Sequence, residues 1–326
     1  MNVPLFSRLF EEGLITSASF EKIKTYPAKQ LFSVHWEIRA ILYLGILLLT
    51  GGLGVLVYKN IDSIGHQAIL AIIATICAGS FYYCLKNKLP FSKENVRSPN
   101  AYFDYILLLA CLSFIIFIGY FQYQYHIFGN RYGLATFFPM LLLFFCAYYF
   151  DHLAVLGLAI TNLGAWLGIT VTPLKLLEGN DFNSTNIIFT GILLGTGLIF
   201  AGQLSSKKNY KAHFKFTYSN FGMNVLFVST LSGMFRFENA YMLWFLFVAG
   251  AGCFFYWYAK GEQSFYILLM STLYVYIALT YVILKMLFDM NGVEMAAIYG
   301  AFIYFIVSGI GLVVFLMRTN KIFKNR

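Results

Sequence analysis

Charge is what this 326-residue chain has least of: 11% of its residues are Asp, Glu, Lys or Arg, whereas 60% are hydrophobic. A soluble domain carries about 25% charged and about 45–50% apolar residues. So small a supply cannot cover a water-facing surface, which excludes a soluble globular enzyme, a disordered chain and a nucleic-acid-binding domain. An integral membrane protein remains. Cysteine and histidine are also scarce, five of each. Cys77, Cys84, Cys111, Cys146 and Cys253 all lie inside apolar runs, with no CxxC pair and no histidine at ligand spacing. Neither a disulfide framework nor a zinc site is expected from them, and they read as small apolar core residues.

Chemical motifs are missing as well. The sequence has no G-x-S-x-G turn, no H-E-x-x-H, no Gly-rich phosphate loop and no paired carboxylates. His35, His66, His126, His152 and His213 are scattered over different loops. No catalytic, cofactor-binding or metal-binding residue is expected, and an enzyme is disfavoured. The N-terminal segment is not expected to act as a signal peptide, because Glu11, Glu12, Glu21 and Lys22 interrupt any apolar core.

Long apolar runs are what the chain does have. A hydrocarbon core about 30 Å thick needs about 20 apolar residues in a helix. Ten runs meet that need, at 40–58, 67–85, 103–121, 134–150, 153–172, 187–204, 219–235, 241–258, 264–284 and 295–317. The fold class expected is therefore an all-α integral membrane protein of about ten transmembrane helices. Residues 1–39 precede this domain (40–317), and a basic tail, 318–326, follows it. The fourth and fifth runs are parted only by Asp151-His152, which reads as a tight helical hairpin. The seventh is diluted by Asn220, Asn224, Ser229, Thr230 and Ser232.

Basic residues test the count, since cytoplasmic loops carry excess Lys and Arg. With the N-terminus inside and ten spans, eighteen Lys and Arg fall inside and five outside. Clusters at Lys86–Arg97, at Lys207–Lys215 and in the tail share one side, so both termini are expected in the cytoplasm of a bacterial inner membrane. There the lysines face anionic inner-leaflet lipid. That accounts for the net charge of +9 without any nucleic acid. Within residues 1–39, Leu5-Phe6 and Leu9-Phe10 form a helical stripe. Gly13 suits a C-cap, Thr16 or Ser17 an N-cap, and Pro27 ends a second helix. The segment reads as an amphipathic helical pair on the cytoplasmic membrane surface, or as a docking element for a partner.

None of the ten span centres carries an ionisable residue, which disfavours a proton relay. Asp104, Asp151, His152 and Arg131 read as interfacial. Asn162, Gln203, Asn220 and Asn224 are the notable polar groups of the spans, and they suit interhelical hydrogen bonds or a polar cavity. Gly51 and Gly52, Gly164 and Gly168, and Gly191 and Gly195 are spaced for close helix contact, within the chain or at a homodimer face.

The stretch Phe10-Glu11-Glu12-Gly13-Leu14-Ile15-Thr16, a short helix, and a Gly-rich first span ending Val57-Tyr58-Lys59-Asn60 resemble a family of bacterial multi-pass membrane proteins. That family is catalogued as a domain of unknown function. The resemblance covers mainly residues 5–85; Ile61 stands where the family has Trp after Asn. Some members are encoded with, or fused to, a membrane-anchored protein, so the resemblance implies a protein partner and no catalytic residues. Two functions stay open. One is a non-enzymatic envelope protein acting through a partner. The other is a transporter or lipid-moving protein for an uncharged or zwitterionic small molecule. Against the second, the two five-span halves differ in spacing and share no repeated motif.

Overall fold

The computed structural model describes residues 35–96, 98–171, 184–291 and 295–324, with Phe10, Glu12, 14–17 and 19–20 of the N-terminal segment. Ten long helices run through it: α1 (His35–Ile64), α2 (His66–Asn87), α3 (Ala101–Tyr125), α4 (Tyr132–Phe150) and α5 (Leu153–Val171), then α6 (Thr185–Lys207), α7 (Lys215–Arg236), α8 (Tyr241–Glu262), α9 (Phe265–Asn291) and α10 (Met295–Lys324). Among the described residues there is no strand. Apolar sequence cannot leave backbone groups unpaired in lipid, and helices satisfy them within one segment.

Eight of these helices, not ten, are long and apolar enough to cross a membrane: α2 to α6 and α8 to α10. The expectation of ten is corrected for two different reasons. In α1 the described apolar stretch, Ala40–Leu56, is shorter than a full span. In α7 the polar residues noted above lower the apolarity, and the packing explains how they are accommodated. Helix α7 lies against α5, α6, α8 and α9 and buries Tyr218, Ser219, Met223, Phe227, Thr230 and Met234 among others. Protein rather than lipid surrounds much of it.

The chain divides into two compact units at Lys59–Asn60. In the first, Thr16 opens a helical turn as expected, its carbonyl accepting the Ser19 and Phe20 amides. The rings of Phe10 and Phe20 stack 4.7 Å apart. The remaining expectations for residues 1–39, including the stop at Pro27, lie outside the described residues. Along α1 the Thr50 hydroxyl donates to the Ile46 and Leu47 carbonyls.

In the second unit, successive helices form antiparallel hairpins. His66 pairs with Tyr120, and Cys77 reaches the Ala110 carbonyl, along α2–α3. Ser219 meets Tyr258, and Gly233 meets Trp244, along α7–α8. Tyr276 meets Ser308, and Thr280 meets Tyr304, along α9–α10. The turn at Asp151-His152 is the tight hairpin the sequence suggested: Asp151 takes a left-handed conformation, φ 58°. His152 then accepts the Val155 amide on Nδ1, capping α5. Two cores result. One is built on α2–α5 around Leu107, Leu143 and Leu156, the other on α6–α9 around Met223, Phe227 and Leu268. Four of the five cysteines (77, 84, 111 and 146) are buried, and Cys253 is exposed.

Candidate functional site

The antiparallel order places the loops 88–100, 151–152 and 208–214 and the turn 263–264 at one end of the second unit. The turns 126–131 and 237–240 lie at the other. Polar density is greatest at the first end. The Asp151 side chain is 1% exposed and accepts three hydrogen bonds. They come from Lys211 Nζ at 2.9 Å, from His213 Nε2 at 2.6 Å and from the Val96 amide at 2.6 Å. Lys211 is fully buried. It also donates Nζ to the Glu94 carbonyl (3.2 Å) and its amide to the Lys93 carbonyl (2.8 Å), with Phe91 beside the ammonium. Beside this knot Asp104 bonds Ser98, and His152 Nε2 lies 3.7 Å from Asp104 Oδ1.

Lys211 has φ 52°, a left-handed conformation that costs a lysine of order 1 kcal/mol and survives only where the surroundings fix it. Here they do, because its amide, ammonium and carbonyl are all bonded, the last to Ser205 Oγ. The knot ties the 88–98 strap to the hairpin of α4–α5 and to the start of α7. A buried, bonded ion pair is of little net worth against an apolar substitute, yet breaking one side of it costs about 3–5 kcal/mol.

One sequence reading changes at this end. Asp104 and His152, read as interfacial, lie at helix ends and are packed within protein there (7% and 6% exposed). Lys211, expected to face lipid with its cluster, is wholly enclosed. Lys215 of the same cluster pairs with Glu262. No signal in the sequence couples residue 151 to residue 211; the only hint was a carboxylate at the tip of an apolar hairpin. The neighbouring cavity, lined by Lys88, Val96, Ser98, Phe103, Tyr149 and Asp151 among others, measures about 10 Å3, room for about one water.

The candidate polar residues of the spans fall into separate places. Asn224 donates to the side chain and the carbonyl of Asn220 and accepts from the Tyr274 hydroxyl at 2.9 Å, linking α7 to α9. Gln203 bonds Tyr258, which also bonds Ser219, linking α6, α7 and α8. Asn162 joins neither group and bonds the Leu158 carbonyl of its own helix. None of the four lines the small cavity or either of the two larger ones. One of these measures about 560 Å3 and is largely apolar, bounded by Phe189, Leu226, Leu243, Trp244 and Phe247. The other, about 320 Å3, lies beside Arg131 and Trp166.

The small-residue spacings also separate. A Cβ on Gly195 would stand 2.8 Å from the Leu226 amide nitrogen and 2.9 Å from the Gly222 carbonyl oxygen, so α6 and α7 touch backbone to backbone. A Cβ on Gly191 would strike the Ser229 hydroxyl. Gly164 makes ordinary contact with Leu194, one turn before Gly168, and Gly51 and Gly52 have open space around them. Gly222 and Gly233, which the spacing did not single out, are as tightly enclosed as Gly195.

Residues 7–157 match the family model described as predicted membrane protein (DUF2157). The resemblance therefore extends past residue 85, through α4 and into the first turn of α5. The matched region contains Ser98, Asp104, Asp151 and His152. Lys211 and His213 lie beyond it, so the ion knot fastens the matched half to the rest of the chain. The family's function is unknown. No curated protein and no solved structure matches the chain.

Proposed function

We propose that this protein is a non-enzymatic multi-pass component of the bacterial inner membrane that acts through a protein partner, with its ion-locked end and C-terminus in the cytoplasm. The observation that carries this reading is the use of the interior polar groups. Asn220, Asn224 and Tyr274 bond within one group across α7 and α9, and Gln203 and Ser219 bond Tyr258 in a second group across α6–α8, where a carrier of polar molecules needs such groups turned to a passage. Among the described residues no buried side-chain nitrogen or oxygen lacks a hydrogen-bond partner. Asp151 likewise holds three donors and faces a space of one water, which leaves it no substrate to act on.

Charge supports the orientation. Lys86, Lys88, Lys93, Lys207, Lys208 and Lys260 lie at the ion-locked end, against Arg131, Arg236 and Lys285 opposite. Anionic lipid is the surface that suits that end. The 560 Å3 apolar recess favours a second reading, a lipid-moving protein. Its Thr196 and Thr230 hydroxyls bond carbonyls of their own helices, which leaves a wall suited to acyl chains.

Native mass spectrometry of protein extracted gently from its own membrane separates the two. A stoichiometric second polypeptide is expected; a reproducible lipid adduct without one moves the weight to lipid movement. Replacing Asn162, Asn220 and Asn224 together by Ala is expected to leave cellular function intact in correctly inserted protein. Loss of function there would return a polar substrate path to the spans.

A further inference from the structure

At the end opposite the ion knot, the 320 Å3 recess is lined by Asn130, Arg131, Tyr132, Gly133, Trp166 and Thr170, with Leu134 and Ile169. Among the described residues its lining is rich in donors and has no carboxylate. Arg131 offers a guanidinium, Trp166 an indole N–H, Asn130 an amide, and Tyr132 and Thr170 hydroxyls. The Arg131 and Trp166 side-chain donors have no hydrogen-bond or ion-pair partner among the described residues. Such a constellation attracts an acceptor-only group carrying negative charge.

The recess is also held in shape. Buried Gln122 clamps the turn that presents Asn130 and Arg131. Its amide donates to the Gly129 carbonyl (3.0 Å), and its oxygen accepts the Phe128 amide (2.8 Å). Phe128 is stacked on Phe138, and Phe137 packs against Trp166 at 5.2 Å. Gly133 leaves the floor open: a Cβ there would lie 3.0 Å from Thr170 Oγ1 and 3.7 Å from Trp166 Nε1. Two donors of α5 thus face the first turn of α4, with the guanidinium at the rim. Planar, forked and permanently charged, a guanidinium matches phosphate oxygens in pairs.

We propose that this recess binds a phosphate group, carried by a lipid headgroup or by a small soluble molecule. Arg131 is the charge partner, and Trp166 Nε1 and Thr170 Oγ1 orient the phosphate oxygens. The site lies at the membrane-interface ends of α4 and α5, apart from the ion knot and from the apolar recess of α6–α8.

The test uses the purified full-length protein with two probes. One is phosphatidylglycerol, presented in excess phosphatidylcholine and read as retained adducts by native mass spectrometry. The other is inorganic phosphate, read as a rise in melting temperature against chloride at equal ionic strength. Wild type is expected to respond saturably to at least one probe, and Arg131→Gln to respond about tenfold more weakly, the scale of a charge-assisted hydrogen bond. Arg131→Lys should recover part of the response, keeping the charge but losing the fork. Arg236→Gln, at the same end but outside the recess, should match wild type. Adducts without a phosphate response assign a lipid headgroup; the converse assigns a soluble ligand. The proposal is overturned if wild type responds to neither probe. It is equally overturned if Arg131→Gln responds as wild type does, or if Arg236→Gln loses as much as Arg131→Gln. Arg131 is exposed and forms no ion pair among the described residues, so its variants are expected to elute as wild type on size exclusion.

Discussion

At one end of the second unit Asp151 and Lys211 are enclosed and paired, with the half-buried His213 bonded to the same carboxylate. At the other, Arg131 stands exposed on a recess that has no carboxylate among the described residues lining it. The difference shows what each charge is for. A buried charge survives only when every lone pair and proton is matched, and such a match leaves nothing for a ligand. An exposed charge that the fold leaves unmatched, on a turn the fold holds rigid, is available to something from outside. The locked end fastens three loops together, whereas the open end presents donors.

Removing one side of the lock is expected to have the largest effect. Asp151→Ala strands Lys211 in an enclosed site and should destabilise by about 3–5 kcal/mol, seen as a lower thermal unfolding midpoint. The double replacement Asp151→Leu with Lys211→Met should recover most of that loss; failure to recover would mean that the lock is needed for more than charge balance. Next in size is Gly195→Val, between the two ends. Its side chain meets the α7 backbone and should cost about 1–3 kcal/mol by the same measurement. If Gly195→Val proved milder than Asn224→Ala, the backbone seam of α6–α7 would matter less than its hydrogen bonds. Tyr274→Phe, which removes one bond of the α7–α9 link, should cost about 1 kcal/mol. Smallest of all, Arg131→Gln should leave the unfolding midpoint unchanged in the absence of phosphate. A shift there comparable to that of Asp151→Ala would erase the contrast between the ends.

Much of the fold was readable in advance because burial in lipid imposes one rule along the whole chain. Each helix boundary at α2, α4 and α5 lies within a few residues of the apolar run that marked it. Helix α7 was the instructive exception. Its Asn220, Asn224 and Ser229 look like a weak span when only lipid is considered, and they become ordinary once α6 and α9 supply Tyr274 and Gly191 as neighbours. The polar candidates could be named one by one. Their grouping was not legible, because Gln203 meets Tyr258 and Asn224 meets Tyr274 across separations of about 50 residues. Lys211 was hidden for the same reason, as one lysine among several in a basic cluster.

The sequence by itself determined that this is an all-α membrane protein, which segments are apolar, and that a family resemblance lies in its N-terminal part. Hydropathy and charge are sums over local residues, and lipid responds to those sums. Only the tertiary structure decided that Asp151 meets Lys211, that Gly195 meets Gly222, and that Arg131 and Trp166 share a recess. Those pairings depend on which helix faces which, a property that packing fixes and that no local window contains.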